Sequence, residues 1–124
     1  MTPIKIKINK KTGSLSLEYQ EDENFLLTGE YLRVHSPSAE AKGHGKGQEI
    51  LQDGKKFVKI CSVESVGNYA LKLIFSDSHD SGIYTWSYLY DLAIHQKKYW
   101  DIYLKKLSDS GKYRDPSLQA LRIT

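Results

Sequence analysis

Ser76-Asp77-Ser78-His79-Asp80-Ser81-Gly82-Ile83-Tyr84-Thr85-Trp86-Ser87-Tyr88-Leu89-Tyr90-Asp91-Leu92 divides the chain. A polar loop holding one histidine leads into a short aromatic strand, and that strand into an amphipathic helix. The chain before this stretch reads mainly as β-structure and the chain after it as helix. Thr85 is placed to cap a helix starting near Trp86, because a threonine hydroxyl can accept a first-turn N–H. Leu89, Leu92, Ala93, Gln96, Trp100, Tyr103, Leu104 and Leu107 then recur at three and four, one stripe of a helix near 86–109. A kink near His95 would split it into a pair. Asp101 and Lys105 are spaced to pair across one turn, and Gly111 is suited to a C-cap. Lys112 to Thr124 contains Pro116 and few apolar residues, so residues 1–111 are read as the domain and 112–124 as a loosely held tail.

Upstream of the dividing stretch, Phe57, Val58, Ile60, Val63 and Val66 form a β-branched run, and Tyr69, Leu71, Leu73 and Phe75 alternate with Ala70, Lys72 and Ile74. Gly67-Asn68 between them reads as a two-residue hairpin turn. An earlier hairpin is written in Ile4, Ile6 and Ile8, then Leu15, Leu17 and Tyr19, with Gly13 available for a positive φ in the turn. Lys5 and Lys7 would solvate the outer face. Gln20 to Asn24 is an acidic connection. After the apolar Phe25-Leu26-Leu27, Thr28 can cap a short helix near 28–35, which must end before Pro37. From Ser36 to Gly47 the composition turns to a surface loop with glycines at 43, 45 and 47. The expected class is α+β: antiparallel hairpins forming a sheet, one short helix, and a C-terminal helix or kinked pair.

At 124 residues the chain can bury a core without disulfides or metal. The single Cys61 lies in an apolar run and reads as a small buried hydrophobe, with no base beside it to make a thiolate. A reducing, cytoplasmic setting is expected, and no window approaches a membrane span. The net charge of +3 gives no footprint for nucleic acid, which is therefore the weakest of the binding classes considered.

The chemistry-bearing motifs are mostly missing. No Walker loop is formed, since Lys46 is followed by Gly47 and no apolar strand precedes it. There is no H-x-D, H-E-x-x-H, C-x-x-C or G-x-S-x-G, so the usual signatures of facial-triad iron, zincin, cysteine-ligated metal and hydrolase chemistry are absent. His79 stands between Asp77 and Asp80 and reads as a loop histidine closing the hairpin onto the helix. His95 reads as a surface residue.

Three blocks together are specific: Tyr31-Leu32-Arg33-Val34-His35-Ser36-Pro37-Ser38-Ala39-Glu40, Val66-Gly67-Asn68-Tyr69-Ala70, and Ser78-His79-Asp80-Ser81-Gly82-Ile83-Tyr84-Thr85-Trp86. They resemble the γ-butyrobetaine hydroxylase-like N-terminal domain, a family of mostly uncharacterised small bacterial proteins. In eukaryotic γ-butyrobetaine and trimethyllysine dioxygenases the similar domain precedes the catalytic domain and carries a structural zinc on three cysteines and one histidine. The resemblance places the cysteine ligands at Ser36, Ser38 and Ala41 and the histidine at His79. Hydroxyls and a methyl group do not replace thiolates, so no zinc and no other cofactor is expected. A different site, for zinc or iron on His35, His44 and His79, is the alternative.

Similar domains are also joined to P-loop ATPases of iron–sulfur cluster assembly, which implies a partner from that machinery. The expectation is thus a non-catalytic accessory domain that binds a protein partner. Its partner surface is expected to combine the Ser36–Gly47 and Asp77–Gly82 loops through Arg33, Ser36, Ser38, Glu40, His44, Asp77, His79 and Asp80.

Overall fold

The computed structural model describes residues 1–38 and 50–120, without the side chains of the last two. Among the described residues, two three-stranded antiparallel sheets and the first three of four α-helices contribute to one apolar core. The first sheet has the order β1 (Lys5–Asn9), β2 (Ser14–Glu18), β3 (Asn24–Leu27), and the second β4 (Ile60–Val66), β5 (Ala70–Phe75), β6 (Ile83–Thr85). Helix α1 spans Gly29–Val34, α2 Trp86–Ile94, α3 Gln96–Asp109 and α4 Pro116–Ala120. The expected class is observed, with two sheets where a single one was expected.

The central strands carry the core. Leu15 and Leu17 of β2, and Leu71, Leu73 and Phe75 of β5, are buried together with Leu27, Leu32, Ile60, Tyr84, Leu89 and Leu92. Their alternation is the period of two that the sequence shows. Phe25-Leu26-Leu27, given no element from sequence, is β3: Leu27 pairs with Leu15 and Phe25 with Leu17. The run is too short to show a period, and strand formation there depends on the β2 edge being available.

Two details of the second hairpin differ from expectation. Val66 pairs with Ala70, so the connection is the three residues Gly67-Asn68-Tyr69, with Gly67 at φ 53°. Tyr69 is consequently out of the ladder and exposed, while its carbonyl receives the Trp86 N–H at 3.1 Å. The pairing also slips between Ile60 and Ser62. That bulge turns Cys61 outward, so the cysteine is exposed and not a core residue.

Gly13 joins the two sheets. It adopts φ +70°, its carbonyl accepts the Ile60 N–H at 2.9 Å, and a Cβ there would lie 2.2 Å from Lys59 Cβ. Gly13→Ala combines a left-handed backbone with a collision against a neighbouring strand entry. We expect a loss of about 2 kcal/mol or more, measured by urea unfolding, because the left-handed region alone costs an alanine about 1–2 kcal/mol. A loss below about 0.5 kcal/mol, the ordinary range for surface substitutions, would show that Lys59 moves away freely.

Both expected caps form: Thr28 Oγ1 accepts the Tyr31 N–H at 3.1 Å, and Thr85 Oγ1 the Tyr88 N–H at 3.2 Å. The C-terminal helix is the kinked pair, broken at His95 (φ −114°). His95 is not merely a surface residue, since its Nδ1 lies 3.0 Å from both the Asp91 carbonyl and Asp91 Oδ1. On α3 the ion pairs are Lys97–Asp101 and Lys105–Asp109, not Asp101–Lys105. Gly111 ends α3 at φ +65°, with Lys112 N–H returning to the Leu107 carbonyl at 2.9 Å.

The segment after Gly111 begins firmly held, contrary to the expectation of a loose tail. Tyr113 and Arg114 carbonyls accept the Gly54 and Lys56 N–H groups at 2.9 and 3.1 Å. Arg114 reaches back to Glu30 through two bonds of 2.8 and 2.7 Å and lies over the Trp100 ring.

Candidate functional site

The polar loop of the dividing stretch follows β5. Ser78 takes φ +70°, and the His79 carbonyl accepts the Phe75 N–H at 3.0 Å, which closes the loop back on its strand. His79 is thereby turned inward, 8 % exposed, against the Phe75 ring. Its Nε2 lies 2.8 Å from Ser36 Oγ and 3.4 Å from Ser38 Oγ. The residues just after α1 and the loop after β5 are therefore latched together by one imidazole and two hydroxyls. Gly82 permits the approach, since a Cβ there would stand 2.6 Å from Ser36 Oγ.

A second bond set lies beside the latch. Arg33, the penultimate residue of α1, is buried and donates from Nε to Asp77 Oδ2 at 2.8 Å and from Nη1 to Gln52 Oε1 at 3.1 Å. Lys55 Nζ lies 3.4 Å from the same Asp77 oxygen, and Asp77 Oδ1 accepts the His79 backbone N–H at 3.2 Å. Burial by itself would raise the Asp77 pKa. The Arg33 bond and charge, the His79 N–H and Lys55 outweigh it and hold the carboxyl below its ordinary range.

A carboxyl whose folded pKa lies below its unfolded value stabilises the fold above the unfolded pKa and loses that contribution as pH falls through the folded one. Asp77→Asn should thus lower stability at pH 7 and flatten the stability–pH curve below about pH 4, the ordinary aspartate range. Parallel wild-type and variant curves over that acid limb would contradict this.

Of the eight residues expected on a partner surface, Arg33, Ser36, Ser38 and His79 are buried, while Asp77 and Asp80 border solvent. Glu40, Ala41 and His44, with the glycine-rich part of the loop, lie outside the described residues. Burial follows from the latch and the ion pair, which consume the polar atoms that a partner would have met.

Zinc does not fit the residues present. Ser36 and Ser38 offer neutral hydroxyls where thiolates are needed, and Ser36 occupies the ring nitrogen that faces both positions. The imidazole alternative is not assembled within the described part either. His35 Nδ1 bonds the Tyr31 carbonyl at 2.8 Å, and its ring sits among Tyr31, Tyr99 and Tyr103, whereas His79 faces Phe75 and the serines. Among the described residues no three His, Cys, Asp or Glu side chains gather as a metal group.

Sequence reasoning missed a cleft beside the latch. It has a volume of about 410 Å³ and runs between the end of α1, residues 50–52 and the α2–α3 hairpin. His35, Tyr88, Tyr99, Tyr103 and Lys106 are among its walls. Tyr99, Tyr103 and Lys106 follow at four and three along α3, and of these only Tyr103 belongs to the apolar stripe read from the sequence.

The fold and latch define a small α+β domain whose chemistry-bearing loop is internally bonded. The chain belongs to the family described as gamma-butyrobetaine hydroxylase-like, N-terminal, whose model matches residues 6–90. Three solved structures are similar. One NMR solution structure is 46% identical, covering 99% of this chain and 97% of that one, with a TM-score of 0.83. A second is 42% identical over 93% of this chain and 86% of that one, with a TM-score of 0.77. The third is a crystal structure of a protein of unknown function from Acidithiobacillus ferrooxidans, of the DUF971 family. It is 34% identical over 74% of this chain and 92% of that one, at a TM-score of 0.61. No curated protein matches the chain. Among the described residues no helix is long and apolar enough to cross a membrane.

Proposed function

We propose that this chain is a non-catalytic accessory domain that docks onto a protein of the iron–sulfur cluster assembly machinery. The observation that carries the reading is the latch of Ser36, Ser38 and His79, tied through the His79 N–H to the Arg33–Asp77 pair beside it. A reactive set needs a nucleophile or base with access to substrate, whereas here the Ser36–His79 pair is buried. What these bonds provide is a fixed platform. On its outer side Ser76, Ser78, Asp80, Ser81 and Ile83 are exposed beside a backbone tied down by these bonds, a suitable arrangement for docking at low ordering cost. The class of partner rests on the resemblance of the three sequence blocks to domains joined to P-loop ATPases of that pathway.

The test is co-elution of the chain with a purified P-loop ATPase of iron–sulfur assembly on size exclusion, followed by titration calorimetry. A complex is expected, weakened about tenfold by Asp80→Lys, since reversing one rim charge is worth on the order of 1 kcal/mol. Failure to co-elute at tens of micromolar would overturn the assignment of partner.

A further inference from the structure

We propose that the cleft between the end of α1 and the α2–α3 hairpin binds a small planar aromatic acid that carries a hydrogen-bond donor. The proposal rests on the cleft alone and does not depend on the docking partner. Its volume of about 410 Å³ suits a small ligand. Its walls are rings: His35 lies 6.1 Å from Tyr99 and 6.4 Å from Tyr103 between centroids. The tyrosine hydroxyls are already engaged by the protein. Tyr88 donates to the His35 carbonyl at 2.6 Å, Tyr103 to the Gln52 carbonyl at 2.5 Å and Tyr99 to Asp91 at 2.9 Å. Flat ring surface is therefore left for contact, which favours a planar ligand.

Two polar groups remain to orient it. The His35 Nδ1–H donates to the Tyr31 carbonyl, which fixes the tautomer and leaves Nε2 as an acceptor. Burial, against the Tyr31 bond and together with the Lys106 charge, lowers the His35 pKa, so the ring is neutral at pH 7 and retains that lone pair. Lys106 is exposed on the rim and has no ion-pair partner among the described residues. Asp91, the acidic group in the wall, is already occupied by His95 and Tyr99. The balance left over is one acceptor and one cation around an aromatic slot, which complements a donor and an anion on one ring system.

Indole-2-carboxylate is the probe, with N–H and carboxylate on one planar frame. It is titrated into the full chain labelled with ¹⁵N and followed by amide shifts. Saturable shifts are expected at Val34–Ser36, Tyr88–Leu92 and Tyr99–Lys106. Lys106→Ala and His35→Phe should each weaken binding about tenfold, the weight of one well-formed polar contact, and 1-methylindole-2-carboxylate and indole should bind similarly less well. Lys106 is exposed, so its variant keeps the fold even where His35→Phe does not. Absence of saturation at ~10 mM, a few kcal/mol of affinity at most, shifts elsewhere, or equal binding of indole or by Lys106→Ala would each overturn the assignment.

Discussion

Arg114→Ala is expected to lower the unfolding free energy by about 2 kcal/mol, although the residue lies in a segment that composition marks as a tail. Glu30 is 5 % exposed in the first turn of α1, and Arg114 donates to it from Nε and Nη2 along one guanidinium edge, at 2.8 and 2.7 Å. Removing one member of a buried pair leaves a charge without compensation, which costs ~3–5 kcal/mol when both are fully buried. Arg114 keeps 39 % of its side chain exposed, so water can follow the truncation inward and the figure is reduced. Part of the loss is packing, since the guanidinium lies 5.1 Å from the Trp100 ring centre. Thermal unfolding of wild type, Arg114→Ala and the double variant with Glu30→Gln separates these contributions. If the unpaired charge dominates, Glu30→Gln in the Arg114→Ala background recovers stability; if packing does, it lowers stability further. A single variant within about 0.5 kcal/mol of wild type, the range of ordinary surface changes, would mean that the segment after Gly111 contributes nothing and composition had described it correctly.

This pair shows where sequence reading ends. Glu30 and Arg114 are 84 residues apart, with no spacing or period to connect them. Local patterns were legible because local physics makes them: the two hairpins from alternation, Thr28 and Thr85 from capping, Gly13, Gly67 and Gly111 from positive φ. The His95 break was legible as one of two options. Cys61 was misjudged because a bulge between Ile60 and Ser62 breaks the alternation there and leaves the side chain facing outward. For the site, the pairing of the 36–38 segment with His79 came from the family resemblance. That Arg33 would be buried did not, because an arginine in an amphipathic turn ordinarily faces water. The tyrosines of the cleft were visible at helical spacing, yet the same spacing describes a core stripe, and only the position of α1 decides that Tyr99 and Tyr103 border an opening.

His79→Ala is expected to cost about 2–3 kcal/mol, from an emptied buried volume and two serine hydroxyls left without their partner. Ser36→Ala should cost less, about 1 kcal/mol, because Ser38 stands within reach of the same nitrogen. Metal separates this latch from a vestigial ligand set. If hydroxyl–imidazole bonds hold the two loops, the melting temperature of the wild type is the same with chelator and with added zinc. Ser36→Cys, Ser38→Cys and Ala41→Cys together should reverse that behaviour, since these are the positions where the family resemblance puts thiolates that with His79 would complete a zinc set, and binding to the folded state alone raises stability with metal concentration. Equilibration with zinc followed by elemental analysis and thermal unfolding of both proteins reads the two outcomes directly. A wild type that retains zinc through chelation, or melts lower without it, would overturn the latch and restore His79 as a ligand. The contrast matters because the same two loops must be held together in either case. A metal does so with bonds that depend on ligand protonation and supply, whereas Ser36, Ser38 and His79 do so with groups that the chain always carries.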